Sequence, residues 1–448
     1  MRLINLIKGL VNKMIGNTEI KTALGVTPSI GDAMYERLQL WSRMYSGKAP
    51  WCTDAVHSLG LERGIVRELS NIATLEMTAS VSDKTLDSIF KSALRDLTMR
   101  LQVGLATGAM CIKPSPDFTV QYIAQNAFIP IRYNGCRLVE VVFPETVRDG
   151  DTYYTRLEWH NLTSKGLTIV NRAFISHDAN TLGRETMLGV RDEWAALMPE
   201  VFYAGVTRPV YGYFVVPLDN TVDGSFTGVS VFDSAAELIR MADTQFGRLD
   251  WEFESGERAI HVDEAALKPR PRENGKREWT LPKLNRRLYR GLNIDAGNEE
   301  LFKEYSPTFR DASLIAGLEE YKRNIEFSVG LAYGDISNPA TIAKTATEVM
   351  SAKKRKYDTV SAIQRNLRDC LDDLVYALAF YAAKTGIGYE FICDFKDSIL
   401  TDEDAERAHD ERMVAMGVMS LAEFRSKWMG EPLDVAEKNL PANQAVME

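Results

Sequence analysis

Apolar positions organise this chain most strongly between Val231 and Gly386. Val231, Ala235, Leu238, Ala242, Phe246, Leu249 and Phe253 recur at steps of three and four, which puts one apolar stripe on a helix. Leu314, Leu318, Tyr321, Ile325 and Val329 predict a second helix over about Phe309 to Leu331. A third, from about Thr345 to Lys384, carries Met350, Tyr357, Val360, Ile363, Leu367, Leu371, Leu374, Leu378 and Tyr381. At about 1.5 Å per residue it is roughly 60 Å long, far beyond the average helix of about 11 residues. Such a helix needs neighbours along its whole span, from this chain, from other copies of it, or from both.

Before this stretch, residues 1 to about 115 read as mainly helical. Ser29 or Asp32 caps a helix running through Met44, and Tyr45-Ser-Gly-Lys-Ala-Pro-Trp51 breaks it with Gly and Pro. Gly64 to Ser80 and Leu86 to Leu105 again show the helical period, and Gly104 and Gly108 flank the turn into a short buried strand, Ala109 to Lys113. From Phe118 to Pro217 the period changes to two. Strands are predicted at Thr119–Ile123, Phe128–Tyr133, Arg137–Phe143, Tyr153–His160, Leu167–Ile175 and Tyr211–Val216, separated by turns such as Asn134-Gly135 and Asp149-Gly-Asp151. A polar loop, Pro217 to Gly228, leads into the first long helix.

After the third helix, Gly386 and Gly388 act as stops, and Tyr389 to Phe395 alternates as a strand with Tyr389, Phe391, Cys393 and Phe395 on one face. The end of the chain forms a small helical unit. One helix runs from Thr401 to Gly417. Ser420 with Glu423 is a capping box for the next, which stops at Gly430, and Pro432 and Asp434 open a short third. The tail from Pro441 is loosely held. The fold class is therefore α+β, dominated by helices, with an antiparallel strand region.

Charge adds a second landmark. From Lys268 to Arg290, nine basic residues (Lys268, Arg270, Arg272, Lys276, Arg277, Lys283, Arg286, Arg287, Arg290) stand against Glu273 and Glu278, a balance of +7. The whole chain carries -9, so the remainder carries -16. An acidic protein that concentrates positive charge in one loop is either aiming it at something anionic or solvating a surface loop. Pro269, Pro271 and Pro282 stiffen this loop into an extended arrangement that presents arginines outward.

At 448 residues the chain can bury a large core and hold more than one folding unit. It has no apolar run long enough to span a bilayer. Met1 to Ile15 is amphipathic with Lys8 and Lys13 and lacks the apolar run of a signal peptide; a helix lying on a membrane surface stays open there. Five widely spaced cysteines (Cys52, Cys111, Cys136, Cys370, Cys393) with no C-x-x-C pair read as free thiols of a reducing compartment.

Chemistry is mostly absent. There is no phosphate-binding loop, dinucleotide fingerprint, H-E-x-x-H or nucleophile elbow. His57, His160, His177, His261 and His409 are scattered without partners at ligand spacing. Asp402-Glu-Asp404 complements the dipole of a helix start, and Asp372-Asp373 on the long helix reads as a solvated or inter-subunit face. The expectation is a protein that is not an enzyme and carries no cofactor or metal.

Several strings resemble portal proteins of tailed bacteriophages, of the kind that infect Gram-positive hosts. Tyr45-Ser-Gly-Lys-Ala-Pro-Trp51 resembles a Tyr-x-Gly-x-x-x-Trp segment near that family's start. Gly108-Ala-Met-Cys-Ile-Lys113 and Phe128-Ile-Pro-Ile131 resemble its early wing strands, and Gly228-Val-Ser-Val-Phe232 the approach to its first stem helix. Phe327-Ser-Val-Gly-Leu331 followed by Lys344-Thr-Ala-Thr-Glu-Val349 is similar to its vGLs…TATEv signature, and Met416-Gly-Val-Met-Ser420 to a turn of its C-terminal helical unit. The shared order of these strings over most of the chain carries the resemblance.

The resemblance implies a wing from residues 1–230 and 345–398, stem helices at 231–255 and 309–331, a basic clip at 256–308, a tunnel loop at 332–344 and a crown at 399–448. It further implies a homo-oligomeric ring of about twelve subunits at one capsid vertex of the virion, assembled in the host cytoplasm, through which double-stranded DNA is packaged and ejected. The implied partners are the terminase large subunit, a head-completion adaptor, and the major capsid and scaffolding proteins, with no membrane. Asp335, Asn338, Thr341 and Lys344 are the loop residues expected to face DNA, with Gly334 and Pro339 shaping the backbone. The clip basics would meet terminase and adaptor, or phosphates, without reading bases. Two alternatives remain at this point. One is a non-catalytic DNA-binding protein that uses the basic 268–290 loop; the other is a portal-like connector of a defective prophage or gene-transfer particle.

Overall fold

The structure is a computed structural model that describes residues 17–256, 259–263, 270–271, 277–278, 289–292, 302–305, 308–339, 346–386, 388–395 and 403–440. It combines helices with antiparallel sheets, as the α+β expectation requires. Helices α1 (Asn17–Leu24), α2 (Asp32–Tyr45) and α3 (Leu61–Leu75) come first, followed by strand β1 (Met77–Val81). Helices α4 (Lys84–Ala93) and α5 (Leu97–Thr107) precede β2 (Ala109–Pro114) and β3 (Val120–Ala124). A sheet region then contains β4 (Ile129–Asn134), β5 (Arg137–Asp149), β6 (Thr152–Thr163), β7 (Gly166–Ser176), β8 (Arg184–Thr186), β9 (Glu200–Ala204) and β10 (Gly212–Val215).

All six strands expected between Phe118 and Pro217 are present, and the turns at Asn134-Gly135 and Asp149-Gly-Asp151 join the expected partners. Strands β4 to β8 form one antiparallel sheet in chain order, with β9 also on β7. The strands β10-β2-β3 form a second. Strand β2 is buried on both faces: Met110 and Ile112 enter the main helical core, while Ala109 and Cys111 enter a cluster with Phe128, Leu138, Val141, Phe143, Tyr211 and Tyr213. Strand β5 is likewise two-sided, with Val142 turned to Ile20, Leu157 and Phe174 beneath α1.

One expectation is corrected before β2. The helical period over Gly64 to Ser80 stops at Leu75, and Met77–Val81 is a strand paired antiparallel with Phe391–Phe395. Five residues are too few to separate a helix turn from a strand by periodicity. The β-branched Thr78 and Val81 suit the strand, but its partner lies more than 300 residues away in the chain.

The three long helices are α6 (Ala236–Ser255), α7 (Asp311–Val329) and α8 (Ala346–Tyr381). The first starts five residues later than its apolar stripe suggests, because Asp233–Ala235 form a 3₁₀ turn. Helices α6 and α7 run antiparallel: Ser234 Oγ donates to Ser328 O, Gln245 Nε2 to Leu314 O, and Arg310 pairs with Glu252 at the far end. The expected α7 stripe holds at Leu318, Ile325 and Val329. On the first helix the stripe holds at Val231, Ala235 and Ala242, with Leu238 and Phe246 packed on the core, but Phe253 is exposed while the polar Asp243, Gln245 and Glu252 are buried. Helix α8 buries Val360, Ile363, Leu367, Leu371, Leu374 and Leu378, but Tyr357 near its start is exposed. Its 36 residues span about 54 Å. Along its span it packs on β10 and β2, on α3 and α4 and on the strand Phe391–Phe395, and Ala377 joins Val139, Leu162 and Val210.

Two strings singled out in the sequence meet here. The backbones of Gly108 and Gly228 cross so closely that a Cβ on either would strike the carbonyl of the other. Val216 N donates to Gly108 O and Val231 N to Leu105 O, so the segment leading into α6 is laced to the end of α5. Gly108 also has φ of +96°, which closes α5.

The basic segment is not wholly a loop. It contains β11 (Ala259–Asp263), β12 (Arg270–Pro271), β13 (Arg277–Glu278), β14 (Tyr289–Leu292) and β15 (Phe302–Tyr305). Strand β11 pairs parallel with β14 and antiparallel with β15. The C-terminal unit has α9 (Glu403–Ala415), α10 (Leu421–Met429) and α11 (Leu433–Lys438), with the capping box of Ser420 and Glu423 as expected; β16 (Phe391–Phe395) precedes it. No helix among the described residues is long and apolar enough to cross a membrane.

Candidate functional site

The best-organised polar site lies where α7 turns towards α8. Helix α7 ends at Gly330, whose φ of +76° closes it, and a Cβ there would strike Thr359 on α8. The chain then folds back over Glu326. This side chain is fully buried, in the last turn of α7, where the helix dipole disfavours an acid. Its compensation is local. Glu326 Oε1 accepts the amides of Gly334 (3.1 Å), Ile336 (2.6 Å) and Ser337 (2.8 Å), and Oε2 accepts the Ser337 hydroxyl (2.8 Å). One carboxylate therefore shapes the whole first half of the loop.

A second acid, about two turns earlier, extends the clamp. Glu319 Oε2 accepts the Asn338 amide at 2.7 Å, and Oε1 accepts Lys322 Nζ at 2.8 Å. Burial raises the Glu319 carboxyl, but Lys322 and the Asn338 amide outweigh it and hold it below its ordinary value. From α8, Lys356 reaches both Asp335 (3.1 Å) and Glu68 of α3 (3.1 Å). The Arg355 guanidinium lies over the rings of Phe327 (4.6 Å) and Tyr333 (5.2 Å).

Of the four loop residues expected to face a ligand, Asp335 and Asn338 fall in this loop, while Thr341 and Lys344 lie outside the described residues. Asp335 is committed to structure: it accepts the Ala332 amide at 2.9 Å and pairs with Lys356, with its side chain only 18% exposed. Asn338 is exposed. Gly334 takes φ of +97°, as its expected shaping role requires. Of the nine basic residues, Arg270, Arg277 and Arg290 sit on β12, β13 and β14, opposite Glu278, Pro271 and His261 in register. Lys268, Arg272, Lys276, Lys283, Arg286 and Arg287 lie outside the described residues.

Sequence reasoning missed Glu326, Glu319, Arg355 and Lys356. Glu326 did leave a signal, an acid in the last turn of a helix, directly beside the apolar stripe and four residues before a helix-ending glycine.

A second polar cluster is enclosed in the sheet region. Glu158 binds Lys113 (2.6 Å), Arg156 (3.0 Å) and His160 (2.7 Å), and Arg156 also holds Glu145 (2.7 Å). Burial pushes Glu158 up, but Lys113, His160 and Arg156 dominate and hold it well below the usual carboxylate range. Burial lowers His160, against the pull of Glu158, and so disfavours its charged form. The Lys113, Glu158 and His160 side chains are almost wholly shielded from solvent, so the cluster knits β2 to β6 and offers no reacting surface.

Asp372 and Asp373, expected to be a solvated or inter-subunit face, are held within the chain. Arg208 binds both (2.7 and 2.6 Å), Arg137 binds Asp373 (3.0 Å), and Asp373 is buried. Cys111, Cys370 and Cys393 are buried free thiols, whereas Cys136 is exposed. Among the described residues no three His, Cys, Asp or Glu are placed to hold a metal. No family model matches the chain, and no curated protein matches it.

Proposed function

We propose that this chain is the subunit of a ring-shaped channel of the portal type, through which double-stranded DNA passes at one vertex of a capsid. The observation that carries the proposal is the outer surface of the antiparallel pair α6 and α7. Met241, Trp251 and Phe253 on α6, Ile315 and Phe327 on α7, and Phe309 just before α7 are all at least 40% exposed. A helix pair that leaves such side chains in water has neighbours to find, and copies of itself in a closed ring supply them to every subunit alike. The same pair is joined at one end by the segment of +7 charge and leads at the other into the clamped loop 331–339. In this proposal the basic segment docks terminase and then an adaptor, the loop borders the channel, and the motor that hydrolyses nucleotide is a separate protein.

The basic segment also favours a second function, non-catalytic binding of duplex DNA by a monomer. Native mass with negative-stain images separates the two. A ring of about a dozen subunits with a central hole is the expected result. A chain that stays monomeric alone and with its coat and scaffolding proteins, yet binds duplex in a strongly salt-dependent way, refutes the channel. In the ring, reversing Arg286, Arg287 and Arg290 to Glu leaves assembly intact and weakens packaging or adaptor docking. Normal packaging and docking by that variant would show the charge to be merely solvated.

A further inference from the structure

Away from the loop, the start of α3 meets α6 around two buried acids. Asp243 of α6 is fully buried and doubly engaged: Oδ2 accepts Trp51 Nε1 at 2.8 Å and Oδ1 accepts the Leu59 amide at 2.8 Å. Gly247, one turn further on, lets α6 approach so closely that a Cβ there would sit 2.6 Å from Ala55 O. The segment from Trp51 to Leu59 is thus held against α6 by Asp243 and by backbone contact.

Glu62, in the first turn of α3, is also fully buried, and neither of its carboxyl oxygens has a hydrogen-bond partner. An ionised carboxylate in that state is costly, and a neutral carboxyl much less so. The groups around it do not offset burial. Asp243 on α6 interacts with it unfavourably when it is charged, and the Cys52 thiol before α3, raised by burial, Asp243 and Glu62, brings no countercharge. Arg63, its neighbour on α3, favours the charged form but donates its Nε to Tyr45 O at 2.9 Å, and its attraction does not offset burial. Lys356, the cation that α8 brings to α3, is spent on Glu68 and Asp335.

We propose that Glu62 is a proton-dependent lock on the junction between the 51–62 segment and α6: that junction is closed while the carboxyl holds its proton and loosens when the proton leaves. Burial, with Asp243 adding to it, raises the Glu62 carboxyl to about 7, so the proton is held in the closed junction far above the pH at which an exposed glutamate releases it. The sign follows directly. A carboxyl raised in the closed form favours closure at low pH, and that advantage disappears as pH rises from the ordinary glutamate value to about 7. Above that the effect levels off, because both forms are then ionised.

Amide hydrogen exchange on the full-length protein tests this at Leu59, whose amide Asp243 holds. After correction for intrinsic exchange, protection of Leu59 should fall roughly fiftyfold between pH 5 and pH 8 and flatten at the upper end. Amides of the loop held by Glu326 serve as internal references and should show no such fall. In Glu62→Gln the Leu59 fall should vanish. Leu59 protection that stays flat in the unsubstituted protein overturns the proposal without any variant, and a fall that survives in Glu62→Gln overturns the assignment to this residue.

Discussion

Replacing Glu326 by alanine isolates what one buried carboxylate does for the loop after α7. The substitution removes the acceptor of three amides and one hydroxyl and leaves the Gly334, Ile336 and Ser337 amides without it. Net contributions of bonds to a charged acceptor are about 1.5–3 kcal/mol each, which sets a gross loss of roughly 6–12 kcal/mol. The realised loss is smaller. The loop opens to water once its closed form costs more than the open one, so the penalty is capped at the free energy of local opening. About 4 kcal/mol is a reasonable value for a site of this size. That corresponds to a rise of about a thousandfold in exchange of these three amides. Global stability should fall by less, since the rest of α7 keeps Leu318, Ile325 and Val329 in the core. Glu326→Gln retains one oxygen for the amides, and its NH₂ can donate to Ser337 Oγ. It should raise exchange only about tenfold, near 1.4 kcal/mol. Hydrogen exchange with residue resolution at Gly334, Ile336 and Ser337 is the assay. Unchanged protection in the alanine variant would refute the claim that Glu326 organises this loop.

Two further outcomes concern stability. Glu158→Gln strands Lys113 and leaves Arg156 with Glu145, and should cost about 3–5 kcal/mol in urea melts at pH 7. Because Glu158 is held below its ordinary value, its contribution is complete above about pH 4.5 and is lost as pH falls through the lower folded-state value. The gap between variant and parent should therefore narrow in acid, and a constant gap would rule out this linkage. Ser420→Ala removes the capping box of α10 and should destabilise the C-terminal helical unit by about 1 kcal/mol, visible as faster amide exchange at Glu423. Equal exchange in both proteins would show that the cap is not what holds this helix.

Much of the secondary structure was legible because its signals are local. The alternation from Phe118 to Pro217, the turns at Asn134-Gly135 and Asp149-Gly-Asp151, the capping box at Ser420 and the α7 stripe each depend on residues within a few positions of one another. Strand β1 was missed for the opposite reason, since its identity comes from pairing with β16 at the far end of the chain. The stripe leading into α6 held at Val231, Ala235 and Ala242 but failed towards the end of the helix, where burial is decided by partners. Asp243, Gln245 and Glu252 go inside since Trp51, Leu314 and Arg310 meet them, and Phe253 stays outside despite its hydrophobicity.

The same division runs through the candidate sites. Sequence alone determined that charge is concentrated between Lys268 and Arg290, and that glycines stand at 108, 228 and 330. Charge balance and residue size are properties of composition and need no fold to be read. Only the tertiary structure decided that Glu326 holds the loop, that Asp335 serves Lys356, that Asp372 and Asp373 belong to Arg208, and that Glu62 is buried without a partner. The state of a charged side chain depends on what surrounds it at a few ångströms, and those surroundings come from segments as far apart as Arg137 and Asp373.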